Sequence, residues 1–414
     1  MDAAVIPQAV AGLRKAQRGL GAMSQAEVVM ALAEFGRCWR DPGFSCRREA
    51  EALTCPYPFA MTRVSLDALL DSLTPEALWQ LIDGEGVRDD RGAPLIGHII
   101  AGNTPLLAWT SLLRALLMRS ASLVKLPSGD AAGWGRLFVQ SLLGVAPTLA
   151  SCITLMEWPG GSTGLDRALC ENVDVILAYG SDKTVAALQA LCPPETPFVG
   201  YGHRVSFGLL LEGADEVEAA RGFATDVLLY DQGGCLSPQT LFVEGTIQRT
   251  RIFASHLASA LDWAVREYPL PHRAPQAAAR VREARLLAKM EAGASVWEDP
   301  TLRWTVIARP DLEFTPSPTH GVVSVQPLLS VADLPTALSP VRASLQGCAV
   351  ACGDASSPPE LGMVSGVSYI CCPGRLQAPP LSWPEDGRPV LRSLRPGAAT
   401  AGVSPGLGGT ICGK

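Results

Sequence analysis

Apolar and polar positions along this chain follow two different periods. Behind Ser24-Gln25-Ala26-Glu27, a hydroxyl and a carboxylate in the capping-box pattern, Val28, Leu32, Phe35 and Trp39 recur at helical spacing until Asp41-Pro42 stops the run. Leu66 to Leu73 and Pro75 to Ile82 predict a further helical pair. Thr74 is its cap, and Pro75 takes the first helical position, where a missing N–H costs nothing. Helical packing is therefore expected as far as the turn-rich stretches Asp83-Gly84-Glu85-Gly86 and Asp89 to Gly92.

From Leu95 the pattern changes. Short apolar runs at Leu95 to Ala101, Ser122 to Leu126, Ile153 to Met156, Val173 to Tyr179 and Phe198-Val199 read as strands. Amphipathic stretches at Leu106 to Arg119, Ala131 to Leu143, Leu165 to Cys170 and Lys183 to Leu191 read as the helices between them. Strand and helix alternating at this spacing predict an α/β fold with a doubly wound parallel sheet, which takes ligands at the carboxyl ends of its strands. A second α/β unit opens with Val205 to Leu211 and a helix at Glu216 to Leu228, leading into Asp231 to Gln239. The expected organisation is residues 1–204, residues 205–375, and a C-terminal segment 376–414 whose Gly-, Pro-, Ser- and Thr-rich end from Arg395 onward reads as a mobile tail.

Composition narrows the function classes. The 414 residues are 48% hydrophobic and 18% charged, which is globular rather than disordered. With Lys+Arg 34 against Asp+Glu 40 the formal charge is -6, so there is no basic field for a phosphate backbone and nucleic acid is not an expected partner. The start carries Asp2, Arg14, Lys15 and Arg18 without a central apolar block. The most apolar stretch, Leu142 to Trp158, is broken by Pro147, Thr148, Ser151 and Glu157. Neither reads as a signal peptide or a membrane span, and a cytoplasmic protein is expected. The 12 cysteines then read as reduced thiols, nearly all of them core fillers. Cys348-x-x-x-Cys352 with Cys371-Cys372 fits zinc spacing poorly, so no metal is expected.

Four loops after predicted strands or helices carry candidate chemistry. In Asp231-Gln232-Gly233-Gly234-Cys235-Leu236-Ser237-Pro238, paired glycines admit a substrate close to the backbone, and Cys235 can offer both a thiol and its own N–H; the competing reading is one more small buried residue. In Ala101-Gly102-Asn103-Thr104-Pro105, the Asn103 amide can donate to an oxyanion or cap the following helix. Lys125 ends a strand with Ser128 three residues on, and is either a holder of ribose or phosphate or a solvated surface lysine. Ala178-Tyr179-Gly180-Ser181-Asp182 opens a helix whose N–H groups can receive a pyrophosphate. Neither G-x-G-x-x-G nor a P-loop accompanies them.

The order of these loops, with intervals of 22, 55 and 55 residues between Asn103, Lys125, Gly180 and Cys235, resembles the aldehyde dehydrogenase superfamily. Within it the chain is similar to the LuxC-type acyl-CoA reductases. The resemblance is carried by His98-Ile99-Ile100-Ala101-Gly102-Asn103-Thr104-Pro105, Val124-Lys125-Leu126-Pro127-Ser128, Ala178 to Asp182, Gly200-Tyr201-Gly202-His203-Arg204-Val205-Ser206 and Tyr230 to Gln239, with weaker echoes at Trp39-Arg40-Asp41-Pro42 and Glu385-Asp386-Gly387.

It implies an aldehyde dehydrogenase-like fold, with a cofactor domain in 1–204 and a catalytic thiol domain in 205–375. Cys235 would be the nucleophile that takes an acyl group from a thioester such as a fatty acyl-CoA, a hydride from NADPH (with NADH left open) then releasing an aldehyde. Asn103 and the Cys235 N–H would form the oxyanion hole, and Lys125, Ser128, Gly180 and Ser181 would hold the cofactor. Aldehyde-oxidising members carry a water-activating glutamate where this chain has Gly200-Tyr201-Gly202-His203, which favours reduction over acid formation. His203 is a candidate proton donor or holder of CoA phosphate, set against a histidine that merely fixes its loop. The alternatives are a carrier-protein thioester, an acyl phosphate, or a catalytically silent scaffold of the same fold. An acyl-transferring protein partner and homo-oligomers are left open.

Overall fold

In the computed structural model, which describes residues 4–53, 57–353 and 366–397, the chain starts with five helices: α1 (Val5–Ala22), α2 (Gln25–Arg40), α3 (Ser45–Glu51), α4 (Phe59–Asp71) and α5 (Pro75–Gly84). The capping box at α2 is formed: Ser24 Oγ accepts from Glu27 N at 3.2 Å, and Glu27 Oε2 accepts from Ser24 N at 2.7 Å. Thr74 caps α5 by accepting from Ala77 N at 3.2 Å. Helix α1 goes beyond the sequence expectation. It buries Ile6, Val10, Leu13 and Leu20, which recur at helical spacing on one face, with charged and polar residues between them. Under these helices Trp39 and Trp109 meet edge to face at 4.8 Å and Phe35 and Phe138 at 5.2 Å, the arrangement ring quadrupoles favour.

A parallel sheet follows: β1 (Leu95–Ile99), α6 (Leu107–Leu117), β2 (Ala121–Leu126), α7 (Gly133–Val145), α8 (Pro147–Ala150), β3 (Ile153–Glu157), α9 (Thr163–Asn172), β4 (Val175–Tyr179), α10 (Asp182–Gln189) and β5 (Phe198–Tyr201). All five expected strands and their crossover helices form, in the order β3-β2-β1-β4-β5. The chain winds outward from β1 and returns to β4, so β1 and β4 flank the switch point where such sheets bind ligands. Ile99 lies opposite both Lys125 and Ala178, which puts the ends of three strands on one row. His98, fully buried in β1, sits between Ser111 Oγ at 2.8 Å and Ser122 Oγ at 3.1 Å. Burial pushes its pKa down to about 3, so it stays neutral.

The second unit continues with β6 (Val205–Leu210), α11 (Glu216–Leu228), β7 (Pro238–Glu244), α12 (Ile247–Glu267), α13 (Pro275–Met290), β8 (Ser295–Glu298), β9 (Thr305–Ala308), β10 (Val322–Leu328), α14 (Leu334–Ala337), β11 (Leu345–Ala351) and β12 (Tyr369–Cys371). Its sheet runs β12-β11-β6-β7-β10-β9-β8, parallel except for β8 against β9.

Among the described residues the first unit holds the chain to His203, Pro380–Pro384 and residues 388–397, and the second holds Arg204–Pro379 and Glu385–Gly387. The segment expected to stand apart from residue 376 is thus shared between the two. Its Leu381, Val390, Leu391 and Leu394 belong to the first unit's core because that core offers them apolar cover and backbone partners. The buried Arg114 guanidinium donates to Leu381 O and Trp383 O, and Glu85 accepts from the N–H groups of Val390, Leu391 and Arg392 at 2.7, 2.9 and 2.8 Å. Of the expected tail, Arg395 pairs with Asp90 at 2.9 Å; residues 398–414 lie outside the described residues, as do Cys55 and Cys412. Among the described residues no helix is long and apolar enough to cross a membrane.

Candidate active site

Cys235 lies in the second unit, between α11 and β7. The backbone that delivers it is unusual: Tyr230, Asp231 and Gln232 have φ of 60°, 52° and 61°, three consecutive side-chain-bearing residues in the left-handed region. Each such residue costs free energy unless its surroundings hold it, and here they do. The Asp231 carboxylate accepts from Arg273 Nη2 and pairs with His320 Nδ1, both at 2.6 Å, and its carbonyl accepts from His320 N at 3.1 Å. Gln232 Nε2 donates to Pro238 O and Val322 O at 2.9 Å each. The sequence marks Asp231 and Gln232 as part of a motif, but apart from Pro238 their partners Arg273, His320 and Val322 lie far along the chain and carry no local signal.

The turn that follows is closed by Ser237 N donating to Gly234 O at 3.0 Å, which sets Cys235 inside a fixed loop. Ser206 Oγ of β6 donates to Cys235 O at 3.0 Å and accepts from Gly347 N of β11 at 3.1 Å. Gln377 Nε2 donates to Ser237 Oγ at 2.9 Å, while a Cβ on Gly234 would lie 2.7 Å from Gln377 Oε1. A side chain at 234 would have to push the Gln377 carboxamide away from this position.

Cys235 itself is half-buried. Burial first, then the carboxylates of Glu385 and Asp386, push its thiol up to about 12; its own backbone amide and Arg204 act the other way. Geometry explains why those carboxylates are felt. Asp386, at φ 56°, accepts from Arg204 Nε at 2.7 Å just ahead of β6 and from Gln346 Nε2 at 3.3 Å on β11, next to the Ser206 and Gly347 that hold the Cys235 backbone. Glu385 is 6% exposed beside it. A carboxylate does stand near the thiol, supplied from the far C-terminal side, where the sequence shows only a faint Glu385-Asp386-Gly387 echo.

The other expected site residues lie in the first unit. Lys125, Ser128, Gly180 and Ser181 gather at the carboxyl edge of its sheet, at or just past the row set by Ile99. The Lys125 ammonium is half-buried, and burial lowers its pKa against the pull of Asp166. It forms no ion pair among the described residues. Ser128 is exposed. The Ser181 hydroxyl is the N-cap of α10, accepting from Thr184 N at 3.2 Å, so a ligand there would meet backbone N–H groups rather than a free hydroxyl. Asn103 is exposed in the β1–α6 loop, and it does not cap α6, whose cap position is Leu106. His203 is exposed, with its backbone N–H held by Asp182 Oδ1 at 2.7 Å. Among the described residues no group of three or more His, Cys, Asp or Glu is placed to hold a metal.

Comparison with known proteins agrees with this architecture. The family model described as acyl-CoA reductase (LuxC) matches residues 20–395. The long-chain acyl-protein thioester reductase of Photorhabdus laumondii is 30% identical over 151 residues, 36% of this chain and 31% of that protein. The protein of the same description from Vibrio harveyi is 31% identical over 151 residues, with the same shares. The matched stretch thus spans less than a third of either relative. Among solved structures, an oxidoreductase from Marinobacter aquaeolei superposes with TM-score 0.71 at 14% identity, covering 90% of this chain and 83% of that one. An NAD-dependent benzaldehyde dehydrogenase from Corynebacterium glutamicum gives 0.69 at 17%, covering 91% and 88%. The NADP complex of a glyceraldehyde-3-phosphate dehydrogenase from Bacillus halodurans gives 0.67 at 14%, covering 91% and 83%. The fold is that of the aldehyde dehydrogenases, and with the family model matched along most of its length the chain belongs to the acyl-CoA reductase (LuxC) family.

Proposed function

We propose that this protein reduces an acyl thioester to an aldehyde through an acyl-cysteine on Cys235, with NADPH, ahead of NADH, as the hydride source. The observation that carries the reading is the thiol loop, in which one cysteine is fixed by its own carbonyl, by a glycine in close contact and by a braced left-handed run. Sγ attacks the thioester carbonyl, the substrate C–S bond breaks, and the leaving thiolate takes the proton that Cys235 gives up. A thiol held this high needs help in losing that proton. Glu385, the buried carboxylate it feels most, is assigned as the acceptor that passes the proton on. Asn103 and the Cys235 N–H are the oxyanion donors, a contribution of about 3 kcal/mol each. His203 serves as proton donor or as a contact for CoA phosphate.

The rim of the first sheet suits a dinucleotide: a switch point between β1 and β4, a half-buried lysine with no ion pair among the described residues, and a glycine turn at a helix start. Lys125, Ser128, Gly180 and Ser181 would hold the cofactor, which when bound supplies a hydride to the acyl carbon. A second reading, an acyl group carried on a protein, is favoured by the description of the relatives as acyl-protein thioester reductases.

Purified protein is assayed for NADPH consumption with short to long acyl-CoAs and with an acylated carrier protein, aldehyde being trapped and Cys235→Ala run beside it. Thioester-dependent oxidation that disappears in the variant supports the proposal. Equal consumption by the variant, or none with any thioester, overturns it and moves the weight to an acyl phosphate or a silent scaffold.

A further inference from the structure

A second pair of sulfurs, away from the thiol loop, is arranged for chemistry of its own. Cys170 lies in the last turn of α9 and Cys192 just beyond α10, the two helices that flank β4 in sequence. Their Sγ atoms are 3.0 Å apart. That is only about 1 Å longer than a disulfide bond of about 2.05 Å, so closing the bond asks for a small side-chain movement rather than a rearrangement. Cys170 is fully buried in the first unit's core, whereas Cys192 is half-buried and also donates to Leu188 O at 3.3 Å. One sulfur can be reached and the other waits behind it.

We propose that Cys170 and Cys192 form a site of reversible oxidation that hydroperoxides close to an intramolecular disulfide. Cys192, the sulfur that can be reached, is the one that attacks once its proton is lost, and the contact between the two thiols favours this by lowering the pKa of Cys192 and raising that of Cys170. The Cys192 thiolate displaces water from hydrogen peroxide, with uptake of one proton, and becomes a sulfenic acid. The Cys170 thiol then attacks that sulfur, a second water leaves, and the disulfide remains. The two thiols lose two electrons in all and the peroxide gains them; a dithiol reverses the bond by exchange. The loop so closed contains β4 and the Gly180-Ser181 turn, so the cross-link ties down the segment that opens α10. Cys235, held protonated, reacts more slowly with peroxide than Cys192 does. The inference is independent of the reductase reading.

The full chain is treated with equimolar hydrogen peroxide, remaining thiols are alkylated, and the digest is mapped by mass spectrometry without reduction. The expected product joins the peptides of Cys170 and Cys192, is lighter by two hydrogens, and disappears on dithiothreitol treatment, while Cys235 is recovered alkylated. Cys170→Ala should leave a Cys192 sulfenic acid that dimedone traps; Cys192→Ala, a change at the more exposed partner, should leave Cys170 alkylated and no cross-link. Oxidation of Cys235 ahead of the pair, recovery of Cys170 and Cys192 both alkylated, or a cross-link to any other cysteine would overturn the proposal.

Discussion

The rim of the first sheet and the thiol loop of the second unit are built in opposite ways. At the rim, Asn103, Ser128, Ser181 and His203 are exposed, and Lys125 is half-buried with no ion pair among the described residues. In the thiol loop, Asp231, Gln232, Ser237 and Gln377 are all buried and each is hydrogen-bonded to a residue distant in sequence or across the turn. The difference follows from the work proposed for each. A surface that takes up and releases a dinucleotide has to stay within reach of solvent, whereas a nucleophile has to be held within a fraction of an ångström.

If that contrast is right, substitutions should separate cleanly into those that unfold and those that unbind. The largest effect is expected from Asp231→Ala, which removes one partner of a pair whose side chains are 11% and 10% exposed and leaves Arg273 buried without its carboxylate. A loss of about 3–5 kcal/mol is expected, read from urea unfolding of the second unit. Gly234→Ala comes next: its Cβ would press on Gln377 Oε1, and about 1–3 kcal/mol of destabilisation, with slower thioester turnover, should follow.

Glu385→Gln probes charge rather than packing. A thiol held near 12 is almost all protonated at neutral pH, so its alkylation rate should climb about tenfold per pH unit from pH 7 upward. The carboxylate raises the pKa, so its removal should shift that climb to lower pH by up to about one unit; an unmoved profile would remove Glu385 from the site. The smallest effect on stability belongs to Lys125→Met at the rim, expected within about 0.5 kcal/mol of wild type. Its cofactor Kd, read by fluorescence quenching, should nonetheless rise about tenfold. A stability loss as large as that of Asp231→Ala would erase the contrast.

The same contrast explains what could be read from the chain alone. Three of the five strands of the first sheet, β1, β2 and β4, are apolar runs ended by glycine and asparagine, by lysine or by glycine, so strand and loop chemistry coincide in sequence. Helix α1 is legible in the spacing of Ile6, Val10, Leu13 and Leu20, whereas β8 and β9 escape because four residues leave no period to count. Around the thiol, the loop is visible but its supports are not. Nothing near Arg273, His320, Gln377 or Glu385 shows that they converge on residues 231–237, because only the fold of the second sheet brings them there.

The return of the chain to the first unit at Pro380 also has a consequence for how this protein is made. A ribosome adds roughly 5–20 residues per second, so Leu381 to Leu394 emerge roughly ten to thirty-five seconds after His203. Until then the nascent first unit lacks the leucines that close its core, and Arg114 and Glu85 wait without the backbone groups they later bind. During synthesis the apolar surface that Leu381, Val390, Leu391 and Leu394 cover therefore stays without that cover until this late segment is delivered.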